Sequence, residues 1–169
     1  MHDLVKFVAG DIVKGEAERY EAIQDGIVQA GLHEAGSIRH KLYKLQASIG
    51  ELPEIDCPLQ HVFAPGAYAR TIFIPKGAVL VGKIHKHQHL NILSQGVVTV
   101  MTETGGLETL YGPVTMSSQP GTKRAVYAHT NVVWTTIHLT NETDLDKIEE
   151  EVIAKTFQEY EQFLLGETS

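Results

Sequence analysis

In the stretch "KIHKHQHLNILSQGVVTV" (residues 83–100), His85, His87 and His89 stand at alternate positions at the head of an apolar, β-branched run. The chain has nine histidines, and three of them fall in these five residues. On a β-strand successive side chains go to opposite faces, so residues 85, 87 and 89 can share one face. If that face is the inside of a small barrel, three neutral imidazoles are poor core material, because every ring nitrogen needs a partner. A divalent cation satisfies several of them at once, and imidazole suits zinc, copper, iron and nickel. The competing reading is a solvent-facing or internally hydrogen-bonded cluster.

Working outward, the texture from Ala67 to Thr140 is that of strands. "YARTIFIP", "AVLVGKI", "HLNILSQ", "VVTVMTE", "LETLYG", "VTMSSQ", "AVYAH" and "VVWTTIHLT" are short, rich in β-branched and aromatic residues, and separated by Gly or Pro turns. Seven or eight such runs at a spacing of about ten residues predict an antiparallel sandwich or barrel. His138 shares a strand face with Trp134 and Thr136, which suits a core or cavity position, whereas His129 precedes Thr130-Asn131 and reads as a loop residue. "TGG" at 104–106 reads as a hairpin turn.

The flanks read as helix. In "DIVKGEAERYEAIQDGIVQAGLHEAG" (11–36), Val13, Ala17, Tyr20, Ile23 and Ile27 make one stripe, and in "SIRHKLYKLQASIG" (37–50) Ile38, Leu42 and Leu45 make another, so the first ~50 residues are expected to be helical. "TDLDKIEEEVIAKTFQEYEQFLLGETS" predicts one C-terminal helix with Thr143 as N-cap and a buried stripe from Leu145 to Leu164. Glu149, Glu150 and Glu151 read as a solvated face of that helix. The expected organisation is an N-terminal helical segment (1–55), a β-barrel (56–141) and a C-terminal helix (142–169).

A chain of 169 residues, 43% hydrophobic and 21% charged, has room for one domain with a core and not for two comfortable ones. A formal charge of −7 disfavours general binding to nucleic acid, since no basic patch stands out. Cys57 is the single cysteine, which excludes an intramolecular disulfide and a cysteine-based zinc site; beside Pro58 it reads as buried filler. No secretory signal and no apolar run long enough for a membrane span is legible, so the expectation is a cytoplasmic protein.

The stretch "GKIHKHQHLNILSQGVVTV" resembles the first motif of the cupin superfamily: a Gly, His-x-His, a third ligand, then a turning Gly. "GPVTMSSQPGTKRAVYAHTN" resembles the second motif, with Gly112, Pro120, Gly121 and Asn131 in its outline; together the two cover roughly residues 65–140. The chain also resembles, in overall texture, the small single-domain cupins of tailed bacteriophages. The resemblance implies a mainly β fold, a double-stranded β-helix or jelly roll, holding a divalent metal ion (Fe, Mn, Zn or Ni).

This sequence departs from the cupin pattern in two places. No Asp or Glu occurs between Cys57 and Thr102, so the family's usual carboxylate ligand is missing and His89 stands in its place. Where the second motif has a histidine, this chain has Arg124, which stays protonated and cannot ligate. The metal ligands expected are therefore His85, His87 and His89, with His138 or His129 as a further candidate. An all-imidazole site keeps the full +2 charge of its ion, and a guanidinium fork suits carboxylate or phosphate, so Arg124, with Tyr127 on the same strand, is the candidate for holding a small anionic ligand. Arg124 paired to a surface acid, and Tyr127 as a core aromatic, are the competing readings.

Two functions from different classes follow. One is a metalloenzyme of dioxygenase or isomerase type acting on an anionic small molecule. The other is a non-catalytic cupin-fold protein that binds a ligand or serves in an assembly, including a phage accessory or virion role. Cupin dimers and the extra helices imply a homo-oligomer, a dimer first of all.

Overall fold

The computed structural model describes residues 5–8, 35–50, 52, 54–102 and 106–167. Its elements in chain order are β1 (Val5–Val8), α1 (Ala35–Ile49), β2 (Leu59–Ala64), β3 (Ala67–Ile74), β4 (Ala78–Val81), β5 (Ile84–His85), β6 (His89–Gln95), β7 (Val97–Thr102), β8 (Gly106–Tyr111), β9 (Val114–Ser118), β10 (Arg124–Ala128), β11 (Val132–His138), α2 (Leu145–Val152), β12 (Ile153–Ala154) and α3 (Phe157–Glu167).

The strands form two five-stranded antiparallel sheets, ordered β1-β4-β10-β7-β8 and β2-β3-β11-β6-β9, with a small third sheet of β12 and β5. This is a jelly roll, built as two facing layers; among the described residues the hydrogen bonds do not join them into one closed barrel. Alternation sets the layers. In β3, Tyr68, Ile72 and Ile74 are buried while Phe73 faces out. Cys57, Ile72, Leu80, Leu93, Val98 and Trp134 are among the side chains that fill the space between the sheets. Burying a side chain of this kind contributes about 1.5–3 kcal/mol.

The flanks are tied to the sheets. α1 sets Leu42, Leu45 and Ile49, spaced three and four apart, against Val81, Met101 and Ala125 on the outer face of the first sheet. Residues 5–8, expected to be helical, are instead a strand on the edge of that sheet, pairing Val5 with Val81 and Val8 with Ala78. The expected helix over 11–34 lies outside the described residues. β2, within the proline-broken stretch, is a strand that the sequence reading missed; it pairs with β3 from Leu59↔Ile72 to Ala64↔Ala67.

The single C-terminal helix is a second correction. It is two helices, because Ile153 and Ala154 leave the helix to pair with His85 and Ile84. Asp144, not Thr143, is the N-cap of α2, its carboxylate accepting from the Asp146 and Lys147 amides. The restart is capped by Thr156, whose hydroxyl accepts from the Glu159 amide at 3.1 Å, while Glu159 accepts from the Lys155 amide at 3.0 Å.

Gly121, in the second motif, has φ +75°, and its amide donates to the His85 carbonyl at 2.8 Å. A Cβ there would stand 2.5 Å from the Tyr160 ring. Gly121→Ala therefore meets both a left-handed backbone and a blocked space, and is expected to destabilise the protein by roughly 2 kcal/mol or more. Chemical denaturation of the two proteins checks this; an unchanged midpoint would contradict it.

Candidate metal centre

The histidine run is not one continuous strand. β5 ends at His85, the chain bends at Lys86 and His87, and β6 begins at His89. The alternation that was expected to carry 85, 87 and 89 onto one face is therefore interrupted. His85 and His89 still turn inward, with ring centroids 4.1 Å apart. His87 is exposed, and its ring stands edge-on to Phe163 of α3.

His138, at the end of β11, completes the cluster. Its ring lies 5.1 Å from that of His85 and 5.2 Å from that of His89. One nitrogen from each of the three lies within 4.8 Å of the others. Small ring rotations bring such a set within the roughly 4 Å that two bonds of about 2.1 Å can span. His129 is elsewhere: its Nε2 is 2.7 Å from the Thr99 hydroxyl, and its ring meets Tyr127 edge-on.

The fold holds this cluster firmly. The backbone of His85 pairs with Ile153 on one side and accepts from the Gly121 amide on the other. Nδ1 of His89 lies 3.0 Å from the His87 carbonyl. A carbonyl only accepts, so Nδ1 carries the proton and Nε2 keeps its lone pair for a cation. His138 is set by the β11–β3 register, which places it opposite Tyr68 with the two rings stacked at 6.3 Å. The Tyr68 hydroxyl in turn lies 2.7 Å from His61 Nδ1.

Electrostatics keep the rings neutral. Burial holds His85 well below the ordinary histidine range, and the charges of neighbouring His89, His138, Arg70 and Arg124 push the same way. Burial also lowers His89, and it pushes His138 down to about 4 with help from His89, Arg70 and His87. Neutral imidazoles are the form that ligates. Nδ1 of His85 is sealed from solvent with no hydrogen-bond partner. Leaving such an atom unsatisfied costs about 1–3 kcal/mol, and a cation bound at that nitrogen removes the cost. The donor set and this orphaned nitrogen fit a divalent metal ion.

The cluster lines one cavity of about 140 Å³ between the sheets. Ile72, Ile74, Leu80 and Trp134 form its apolar part, and Ile148 and Val152 of α2 wall one side. Arg124 lines it, as its position on β10 suggested; Tyr127 does not, since the residues of β10 that face the cavity are Arg124 and Val126. Three contributors escaped the sequence reading. Arg70 reaches the cavity from β3 between Tyr68 and Ile72, and a charged residue at an inward parity position was the signal. Glu149, read as part of a solvated face, lines the cavity and is ion-paired with Lys83. Asn91, only 3% exposed, accepts from Trp134 Nε1 and the Thr136 hydroxyl, both at 2.9 Å, and donates to Ser118 Oγ at 2.6 Å.

No family model and no curated protein matches the chain. Solved structures similar to it include cupin and RmlC-like cupin proteins. An RmlC-like cupin from Methanocaldococcus jannaschii matches with TM-score 0.43 at 11% identity, over 50% of this chain and 80% of that one. A cupin superfamily protein from Desulfitobacterium hafniense matches with TM-score 0.44 at 12% identity, over 56% of this chain and 87% of that one. Ectoine synthase from P. lautus matches with TM-score 0.48 at 12% identity, over 59% of this chain and 78% of that one. These are partial likenesses of fold, and no residue role is taken from them. No described helix is long and apolar enough to cross a membrane.

Proposed function

We propose that this chain is a metal-binding cupin protein whose cavity holds one divalent cation on His85, His89 and His138 and binds a small anionic molecule beside it. The observation that carries the reading is the sealed, partnerless Nδ1 of His85 inside a cluster of three inward imidazoles. An ion held by three neutral ligands keeps its full charge and open positions, and supplies Lewis-acid chemistry or, as iron or manganese, oxygen binding. On that basis the finer reading is an oxygenase or isomerase. Arg124 would hold the ligand's acid group, Asn91 would keep the floor of the cavity rigid, and Glu149 is the carboxylate placed to take or return a proton.

Elemental analysis of untagged protein tests this: the expected result is one divalent ion per chain, and protein that stays metal-free when offered Fe, Mn, Zn and Ni would overturn it. His87→Ala and His129→Ala are expected to keep the metal, with affinity within about twofold of the parent, because neither ring reaches the cluster. Loss of metal in either variant would move the site. Oxygen uptake or turnover with small acids separates the enzyme from a ligand-binding or assembly protein, with a phage or virion role among the latter.

We further infer that a second copy of this chain covers the outer face of the second sheet. Phe73, Leu90, Ile92, Val133, Thr135 and Ile137 point outward from it, half-buried or exposed, and no outward position of its five strands carries a charge. Two copies with a formal charge of −7 each repel, and an uncharged face is where they can meet. Among the described residues, the N-terminal elements β1 and α1 lie on the other sheet. Thr135→Arg is expected to turn a dimer into a monomer in light scattering; a monomeric parent, or a dimer unaffected by the change, would contradict the inference.

A further inference from the structure

The cavity carries more positive charge than one acid group can neutralise. Arg70 enters from β3 in the second sheet and Arg124 from β10 in the first, so the two guanidiniums approach from opposite layers. The ion pairs among the described residues are Lys83–Glu149, Lys86–Glu159 and Lys147–Glu142, and neither arginine belongs to one, although Glu149 acts on Arg70 and Glu108 on Arg124 at longer range. Glu149, the cavity's carboxylate, is thus already engaged by Lys83. The charge of Arg70 is felt at His85 and His138, and that of Arg124 at His85 and His89, so the two flank the imidazole cluster.

The geometry points to a compact dicarboxylate of three to five carbons as the ligand of this cavity, with one carboxylate held by the Arg70 fork and the other by the Arg124 fork. The inference rests on the proposed reading of this cavity as an anion site, and it does not depend on the divalent ion. Two guanidiniums with no ion pair within 4.0 Å, facing one buried space, favour two negative charges with or without that ion. The size follows from the volume. A cavity of about 140 Å³ is close to the roughly 150 Å³ that takes a benzene-sized molecule, which leaves space for a short chain and little more. Thr136, opposite Arg70 in the β3–β11 register, and Thr122 add hydroxyls to the same cavity.

Calorimetric titration with malonate and malonamate, which differ by one carboxylate at equal size, tests this on metal-loaded and metal-free protein. Malonate is expected to bind at least tenfold more tightly in both forms. Arg70→Gln and Arg124→Gln should each bring the ratio near one with metal content unchanged. Arg70→Lys and Arg124→Lys, which keep the charge and the fold, should lose part of it. Equal affinity for the two probes, tighter binding of inorganic phosphate than of malonate, or an undiminished preference in the arginine variants would overturn the inference. A parent that binds no metal yet prefers malonate would remove the metal reading and leave this one standing.

Discussion

His85→Ala is expected to weaken binding of the divalent ion on the order of 100-fold or more, the largest effect of any single change in this chain. The ring of His85 lies 4.1 Å from His89 and 5.1 Å from His138, and it carries the sealed nitrogen. Its backbone is fixed by Ile153 and Gly121, so residue 85 itself keeps its place when the ring is removed. The fold should not suffer in proportion. Without metal, alanine removes an unsatisfied buried nitrogen as well as packing, and the two effects oppose each other to within about 1 kcal/mol. Competition against a chromophoric chelator gives the affinity, and denaturation gives the stability. Wild-type affinity in the variant, or collapse of its metal-free fold, would contradict the account.

The second large effect is acid sensitivity of the metal-free protein. His138 has its pKa pushed down from 6.5 to about 4, and His85 and His89 are lowered too. The unfolded chain therefore binds protons in a range where the folded chain does not. Stability is highest above pH 6.5 and falls as the pH drops towards 4, with His138 alone accounting for roughly 3 kcal/mol. Below its folded pKa the contribution of His138 is fully lost. Urea midpoints measured across this range should show the decline, and His138→Gln, which cannot take up the proton, should flatten it. A parent whose midpoint does not change between pH 7 and pH 4.5 would contradict the expectation. Loading the metal should steepen the fall, because protons then compete with the ion for the same nitrogens.

The sequence was most legible where one rule acted alone. Eight β-branched runs between Gly and Pro turns became strands because both the local propensity and the inward parity of residues such as Tyr68, Ile72 and Ile74 agree. Leu42 and Leu45, two of the three residues of the expected stripe, marked α1 in the same way. His87 leaves the face expected for it because the chain bends at Lys86 and His87, where the alternation predicts one continuous strand. His138 was legible as one of two further ligand candidates, with nothing in the spacing to choose it over His129; the sheet order, which sets β11 beside β6, brings it to His89. The C-terminal helix was drawn too long for a related reason. The stripe was carried from Val152 on to Phe157 without a break, but a tertiary pairing of Ile153 and Ala154 with β5 outweighs the helix propensity between them. Thr156-Phe157-Gln158-Glu159 carried a capping signal that marked the restart. Glu149 was lost from view because a run of three acids reads as a solvated face, and its cavity position depends on Lys83 from another part of the chain.

Anomalous diffraction from crystals of the metal-loaded protein puts the account to its most direct test. The account predicts a single peak per chain, about 2.0–2.2 Å from one nitrogen each of His85, His89 and His138, with the His87 ring turned away towards Phe163. A peak bound by His87, or no peak between the three inward imidazoles in crystals soaked with the ion, would contradict it.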